Sequence, residues 1–392
     1  MVFLTYRIKN CRIFGKDPAL CAKNELLFTT ENGASKIISA PPLNERITDI
    51  DGKGGLLFPA FTDIGCEFFD PSNPSRDSID TASAAASVGG YRRLFVLGGP
   101  ENRAGDPRVS NVLPIKNENI KKNALLYGKY GDIKREALLA TFEKLKENNC
   151  LYVSAGIDEN AVNGSFSVGF ASKTSGKAGI SRFDECSYLS DELFAAYESG
   201  CRIHIRAVGS AEALKMITDA KGSGVRVTVG VSPFHLALTE NDVPFFGSMC
   251  KLLPPLRSKK DREALMEGII DRSIDCISSL HSPRTVVEKS GSGGSSFGLC
   301  SFETVFSSLN TYFPELISSY PEIFAEVTAI NPSRIFGEEF CIKEGGSADL
   351  FLADTESEMV VTGNSLRSKS QNSPFLGQTL SGRCVRLFIN GV

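Results

Sequence analysis

Phe58-Pro-Ala-Phe-Thr-Asp63-Ile-Gly65-Cys-Glu67 reads as the end of a buried strand, apolar along most of its length and closing on Gly65 and Glu67. It opens a long middle region in which strand and helix patterns alternate. Strand candidates fall at 55–62, 93–97, 124–127, 151–154, 166–171, 202–205, 225–229 and 276–279. Helix candidates fall between most of them, at 78–88, 134–148, 188–199, 211–220 and 259–272. In the second helix, Leu138, Leu139, Phe142 and Leu145 recur on one face, the spacing of an amphipathic helix. Eight strands with helices between them predict a (β/α)8 barrel over 55–340. An open doubly wound sheet is the alternative. Against it, Gly89-Gly90 and Gly98-Gly99 are too isolated to make a phosphate-binding loop.

The two ends of the chain are different. Short strand-like runs at 2–7, 11–14, 25–29 and 36–39 are separated by Gly15, Asn32-Gly33 and Pro41-Pro42. Runs at 348–354, 359–362 and 385–390 mirror them, so 1–54 and 341–392 are expected to form one small β-sandwich beside a partly degenerate barrel. Two stretches break the regular alternation. Residues 158–165 leave little room for a helix between the strands at 151–154 and 166–171. The Gly- and Ser-rich stretch 289–297 predicts a mobile loop after the last strand, on the face where barrel active sites gather.

Composition narrows the function classes. The chain has 392 residues, 42% hydrophobic and 23% charged, with a net charge of -3. That balance gives no nucleic-acid footprint. No run of about 18 apolar residues predicts a membrane span, and the first residues lack the pattern of a signal peptide. Eleven cysteines are scattered singly, which reads as reduced thiols in a cytoplasmic protein.

The opening stretch resembles the Pro-Gly-Phe-Ile-Asp-x-His-x-His signature of the amidohydrolase superfamily. Val231-Ser-Pro-Phe-His-Leu-Ala-Leu-Thr-Glu-Asn-Asp-Val and Lys251-Leu-Leu-Pro-Pro-Leu-Arg extend the likeness. So do Asn331-Pro-Ser-Arg-Ile-Phe-Gly, Gly346-Ser-Ala-Asp-Leu and Ser370-Gln-Asn-Ser-Pro-Phe-Leu-Gly. Together these motifs are similar to those of dihydroorotase, in the class that also resembles hydantoinases. The resemblance implies a barrel, a sandwich built from both termini, and a hydroxide held by one or two zinc ions. It also implies a carboxylate base after strand 8.

Carried over position by position, that machinery is missing. Asp63 is kept, but the strand 1 histidines fall on Gly65 and Glu67. The strand 4 acidic ligand falls near Ala155-Gly156, with Asp158 a few residues away. The strand 5 histidine falls near Gly169-Phe170, the strand 6 ligand on Ala207, and the strand 8 aspartate on Leu280. The substrate-binding positions fall on Phe69, on Gly99 or a neighbour, on Leu253 and on Arg284. Glycine, alanine and leucine offer no donor to zinc, and leucine cannot move a proton.

The chain has three histidines. His204 and His235 are expected in structural hydrogen bonds. His281, next to Leu280, is the one most apt to face the old pocket. Asp63, Glu67 and Glu101 would bring negative charge to the mouth, and a Glu67 ion pair with Arg206 or Arg284 is expected as a filler. Cys66 beside Glu67 is a poor nucleophile–base pair, since neighbours on a strand face opposite ways. The expectation is a dihydroorotase-like protein that has lost its metal and catalytic residues, with no metal or cofactor. The resemblance implies aspartate carbamoyltransferase or a second copy of the chain as partner, and neither nucleic acid nor membrane. Two other readings remain: a cyclic amidohydrolase with an altered, zinc-dependent site, and a homo-oligomeric scaffold like the non-catalytic hydantoinase homologues.

Overall fold

A computed structural model describes residues 4–41, 46–68, 70, 73–98, 106–129, 132–157, 162–290 and 295–391. Eight parallel strands follow one another around a barrel: Phe61–Cys66, Tyr91–Leu97, Val109–Pro114, Leu125–Gly128, Leu151–Ser154, Arg202–Ile205, Val227–Val231 and Cys276–Ile277. Residues alternate across the wall as the pleat requires. Phe95 and Leu97 point inward with Ile64, Val112, Leu151, Val153 and Cys276. Leu94 and Val96 point outward into the layer covered by the helices. Phe142 and Leu145 of the helix Arg135–Glu147 fill that layer, as their spacing predicts.

The expected (β/α)8 class is the observed one, with three differences in strand assignment. First, the run at 55–62 is two strands. Leu56–Pro59 pairs with Leu350–Val360 and Arg12–Ile13 in a terminal sheet, and the barrel begins at Phe61. The apolar run is unbroken there, so hydrophobicity marks no boundary. Second, Val109–Pro114 is the third barrel strand. Ser110, Asn111 and Pro114 weaken its strand signal. Third, 166–171 is not in the barrel. Phe166–Ser167 pairs with Gly179–Ile180 in a separate ribbon, and Phe170–Ser175 is a helix. The strands at 125–128 and 151–154 are therefore the fourth and fifth. Since 166–171 is not a barrel strand, the stretch 158–165 belongs to the longer connection from the fifth to the sixth strand, which carries its helix at Arg182–Ser199.

The seam between the eighth and first strands is closed by side chains rather than by a regular ladder. Asp63 Oδ1 accepts from the Ser279 amide at 2.7 Å. Ser278 Oγ donates to the Ile64 carbonyl at 2.6 Å. The Glu67 amide donates to the His281 carbonyl at 2.8 Å.

The terminal segments build two four-stranded sheets. One holds Ala34–Ile38, Glu25–Glu31, Leu4–Lys9 and Ile47–Asp51; the other holds Thr379–Phe388, Leu350–Val360, Leu56–Pro59 and Arg12–Ile13. Ile8, Phe28 and Ile37 from the first share a core with Leu57, Leu350 and Phe388 from the second, so the sheets pack face to face. The runs at 348–354 and 359–362 are one strand, Leu350–Val360, with an irregularity near Asp354. Phe351 reaches from this unit to Phe61 at the foot of the barrel, ring centres 4.5 Å apart. Among the described residues no helix is long and apolar enough to cross a membrane.

Candidate functional site

The C-terminal ends of the barrel strands meet at a narrow cavity of about 50 Å³. Glu67, Lys129, Ala155, Arg206, Leu253, Leu280, Arg284 and Phe297 are among its walls. Five of these, Glu67, Ala155, Leu253, Leu280 and Arg284, are former-site positions carried over from the sequence.

Glu67 stands at the centre. Its carboxylate pairs with the Arg206 guanidinium and lies 3.9 Å from Lys129 Nζ. Burial alone would raise the Glu67 carboxyl, but the charges of Arg206, Lys129 and Arg284 outweigh it and hold it at about 2. The filler pair expected for Glu67 is the one with Arg206. Gly65 explains how it fits. Its φ is +87°, and a Cβ built there would lie 2.7 Å from Arg206 Cδ. The Arg206 stem fills the space a side chain at 65 would need, and the left-handed backbone disfavours one in any case.

Asp63 does not reach the cavity. It is fully buried in the seam, holding the Ser279 amide, and burial pushes its carboxyl up. Ala207 follows the sixth strand and packs with Leu280 and Leu252 in an apolar cluster. Leu280 is buried with φ +50°. Arg284 donates its amide to Asn372 Oδ1 and its Nη1 to the Pro283 carbonyl, both at 3.0 Å. Phe69, Gly99, Glu101 and Asp158 lie outside the described residues.

Counted along the observed barrel, Leu151–Ser154 is the fifth strand and Ala155 directly follows it, while Gly169 and Phe170 lie outside the barrel at the start of the helix Phe170–Ser175. The fourth strand ends at Gly128, which brings Lys129 to the cavity. The strand before Lys129 was legible at 124–127, but no motif falls there to mark Lys129 as a site residue.

None of the three histidines lines the cavity. His281 turns away from it. The ring stacks on Phe302 at 3.9 Å, accepts from the Ser301 amide, and has Nε2 3.5 Å from Asp77. His204 Nδ1 bonds Thr228 at 2.9 Å, and burial depresses its pKa to about 3. His235 bridges Ser232 and the Pro254 carbonyl, the structural part expected of it. All 11 cysteines are free. Burial pushes the Cys66 thiol far up, the opposite of what a nucleophile needs.

A zinc ion does not fit these residues. Among the described residues, the positions at the strand ends supply one carboxylate, already paired with Arg206, among alanine and leucine. Among the described residues no three His, Cys, Asp or Glu side chains form a group suited to a metal ion.

No family model matches the chain. A dihydroorotase of Halalkalibacterium halodurans is 29% identical over 98% of this chain and 96% of its own length. A dihydroorotase of Staphylococcus aureus is 29% identical over 87% of this chain and 88% of its own. The chain is similar to dihydroorotases along most of its length. Its fold is also that of an L-hydantoinase (dihydropyrimidinase) from Arthrobacter aurescens, with a TM-score of 0.83 at 21% identity, covering 100% of this chain and 96% of that one. A D-hydantoinase from Thermus sp. aligns with a TM-score of 0.78 at 16% identity. The chain thus shares the fold of these hydantoinases, with an ion pair at the barrel mouth.

Proposed function

We propose that this chain is a non-catalytic dihydroorotase-like subunit that acts in pyrimidine synthesis by assembling with aspartate carbamoyltransferase. The observation that carries the loss of catalysis is the Glu67–Arg206 pair beside Gly65, in a cavity of about 50 Å³. Small-molecule sites span roughly 300–1,000 Å³, so a cyclic amide has no room. The proton-transfer position is Leu280, and Asp63 is spent on the seam.

The likeness to dihydroorotases over nearly the whole chain supports a place in the same pathway. A barrel kept intact around a filled mouth suits a protein retained for its surface. The transferase is the partner the resemblance implies. The organism is then expected to encode a second dihydroorotase with its histidines in place.

The test is to purify the chain with and without that organism's aspartate carbamoyltransferase. Co-elution, zinc content and dihydroorotase turnover are measured on the same samples. The proposal expects a stoichiometric complex, zinc far below one per chain and no turnover. Stoichiometric zinc with turnover sinks the non-catalytic reading and favours the altered amidohydrolase. A homo-oligomer that ignores the transferase favours the scaffold.

A further inference from the structure

The far end of the barrel holds a second cavity, of about 270 Å³, at the N-terminal ends of the fifth, sixth and seventh strands. Leu151, Ile203, Val227 and Ile335 give it an apolar floor, and Arg202, Arg226 and Arg334 stand around it. The three arginines come from separate places. Arg202 opens the sixth strand, Arg226 precedes the seventh, and Arg334 lies on the helix Asn331–Ile335. Residues at this end of a barrel ordinarily serve the fold, and a single exposed arginine is simply solvated. Three on one cavity are different, because like charges repel one another. None of the three pairs with a carboxylate among the described residues. Arg202 Nη2 donates to the Asn149 carbonyl at 3.4 Å and Arg334 Nη2 to Asn331 Oδ1 at 3.0 Å, while the Arg226 side chain has no partner among the described residues.

The neighbouring acids are engaged elsewhere. Asp275, on the cavity wall, accepts from Lys221 at 2.6 Å and from the Val229 amide at 2.7 Å. Glu326 and Glu338, which flank the Asn331–Ile335 helix in sequence, pair with Arg272 and with Arg92 and Arg93. Asn331 ties the wall together, since its Nδ2 donates to the Asp275 carbonyl at 3.0 Å while its Oδ1 holds Arg334. Burial pushes the nearby Cys201 thiol up to about 12, and the charges of Arg202, Arg226 and Lys146 pull against that rise, so the positive field reaches beyond the cavity.

We propose that this cavity binds a small organic anion, a single ring carrying a carboxylate or phosphate group. Guanidinium groups present paired N–H donors that match either group, and their flat faces stack on rings. The apolar floor asks for a body that inorganic ions lack. Ligand sites span roughly 300–1,000 Å³, so a cavity of about 270 Å³ takes one ring with its substituent rather than a larger cofactor. The site lies at the opposite end of the barrel from the Glu67–Arg206 pair, and it does not depend on whether the chain meets a transferase.

Isothermal titration calorimetry of the full chain tests this, with benzoate, phenyl phosphate, inorganic phosphate and benzyl alcohol as probes and sodium chloride holding ionic strength constant. Saturable one-to-one binding is expected for benzoate or phenyl phosphate. Inorganic phosphate should bind at least tenfold more weakly than phenyl phosphate, and benzyl alcohol should not bind saturably. Arg226→Met and Arg334→Met should each weaken the better ring anion about tenfold or more, a loss of about 1.4 kcal/mol. Both side chains are exposed, so the variants are expected to fold as the parent does, which a shared melting temperature checks. No saturable binding of either ring anion overturns the proposal. So does binding that both variants leave unchanged, benzyl alcohol binding as tightly as benzoate, or inorganic phosphate binding as tightly as phenyl phosphate.

Discussion

Glu67 stands where the resemblance to dihydroorotases places a metal-holding histidine, and it holds an arginine. The pair leaves a measurable trace in the acid range. A carboxyl held at about 2 in the fold, against 4.5 unperturbed, contributes stability that is fully present above pH 4.5 and lost as pH falls toward 2. Glu67→Gln should therefore flatten the pH dependence of urea unfolding in that window. At neutral pH it should cost roughly 2–3 kcal/mol, because Arg206 is left partly buried without its counter-charge. An unchanged slope between pH 4.5 and 2 would mean that the pair does not persist in solution. Much of this residue-scale picture was legible beforehand. The Glu67–Arg206 pair was among the two the sequence offered, and the structure holds it. The orientation of His281 was not legible, because neighbours on an irregular strand end do not keep a simple alternation. Its ring turned to Phe302 and Asp77 instead.

The element that most repays attention is the seam between the first and eighth strands. The eighth strand proper is only Cys276–Ile277, and side chains continue the closure beyond it. Asp63 is the chief of these. Its raised carboxyl keeps a proton in the fold more readily than in the unfolded chain. It stabilises fully below the ordinary value of 3.8, and that contribution is lost as pH rises through the folded value. Asp63→Asn keeps an acceptor for the Ser279 amide without a charge. It should stay within about 1 kcal/mol of the parent in acid and gain on it as pH rises, by chemical denaturation. Asp63→Ala should lose about 2–3 kcal/mol by stranding the buried amide. Equal pH slopes for the parent and Asp63→Asn would refute the protonation argument. Elements were less legible than residues. The unbroken apolar run before Phe61 hid the passage from sandwich to barrel. Asn111 and Pro114 hid the third strand, and that single omission shifted the numbering of the two that follow.

At the scale of the whole molecule, barrel and sandwich share one aromatic core. Phe351 packs on Phe61 and Phe306, and Phe324 touches Phe58, Phe61 and Phe306. Phe58 lies on the sandwich side of the passage and Phe61 on the barrel side. Phe351→Ala should cost about 3–5 kcal/mol and lower the melting of both units together in a single calorimetric transition. Two separated transitions in the parent would show the units to be independent. The mirrored strand patterns at the two ends made this arrangement legible. The aromatic contacts did not follow from sequence, because they join residues as distant along the chain as Phe61 and Phe351. The Gly65–Arg206 contact carries one more consequence, for how this sequence can change. A side chain at 65 needs room that Arg206 fills. Removing Arg206 first leaves the Glu67 carboxylate facing only Lys129 at 3.9 Å and Arg284 beyond. Residues 65, 67 and 206 are thus coupled: a side chain at 65 or the loss of Arg206 is penalised while the other two stay as they are.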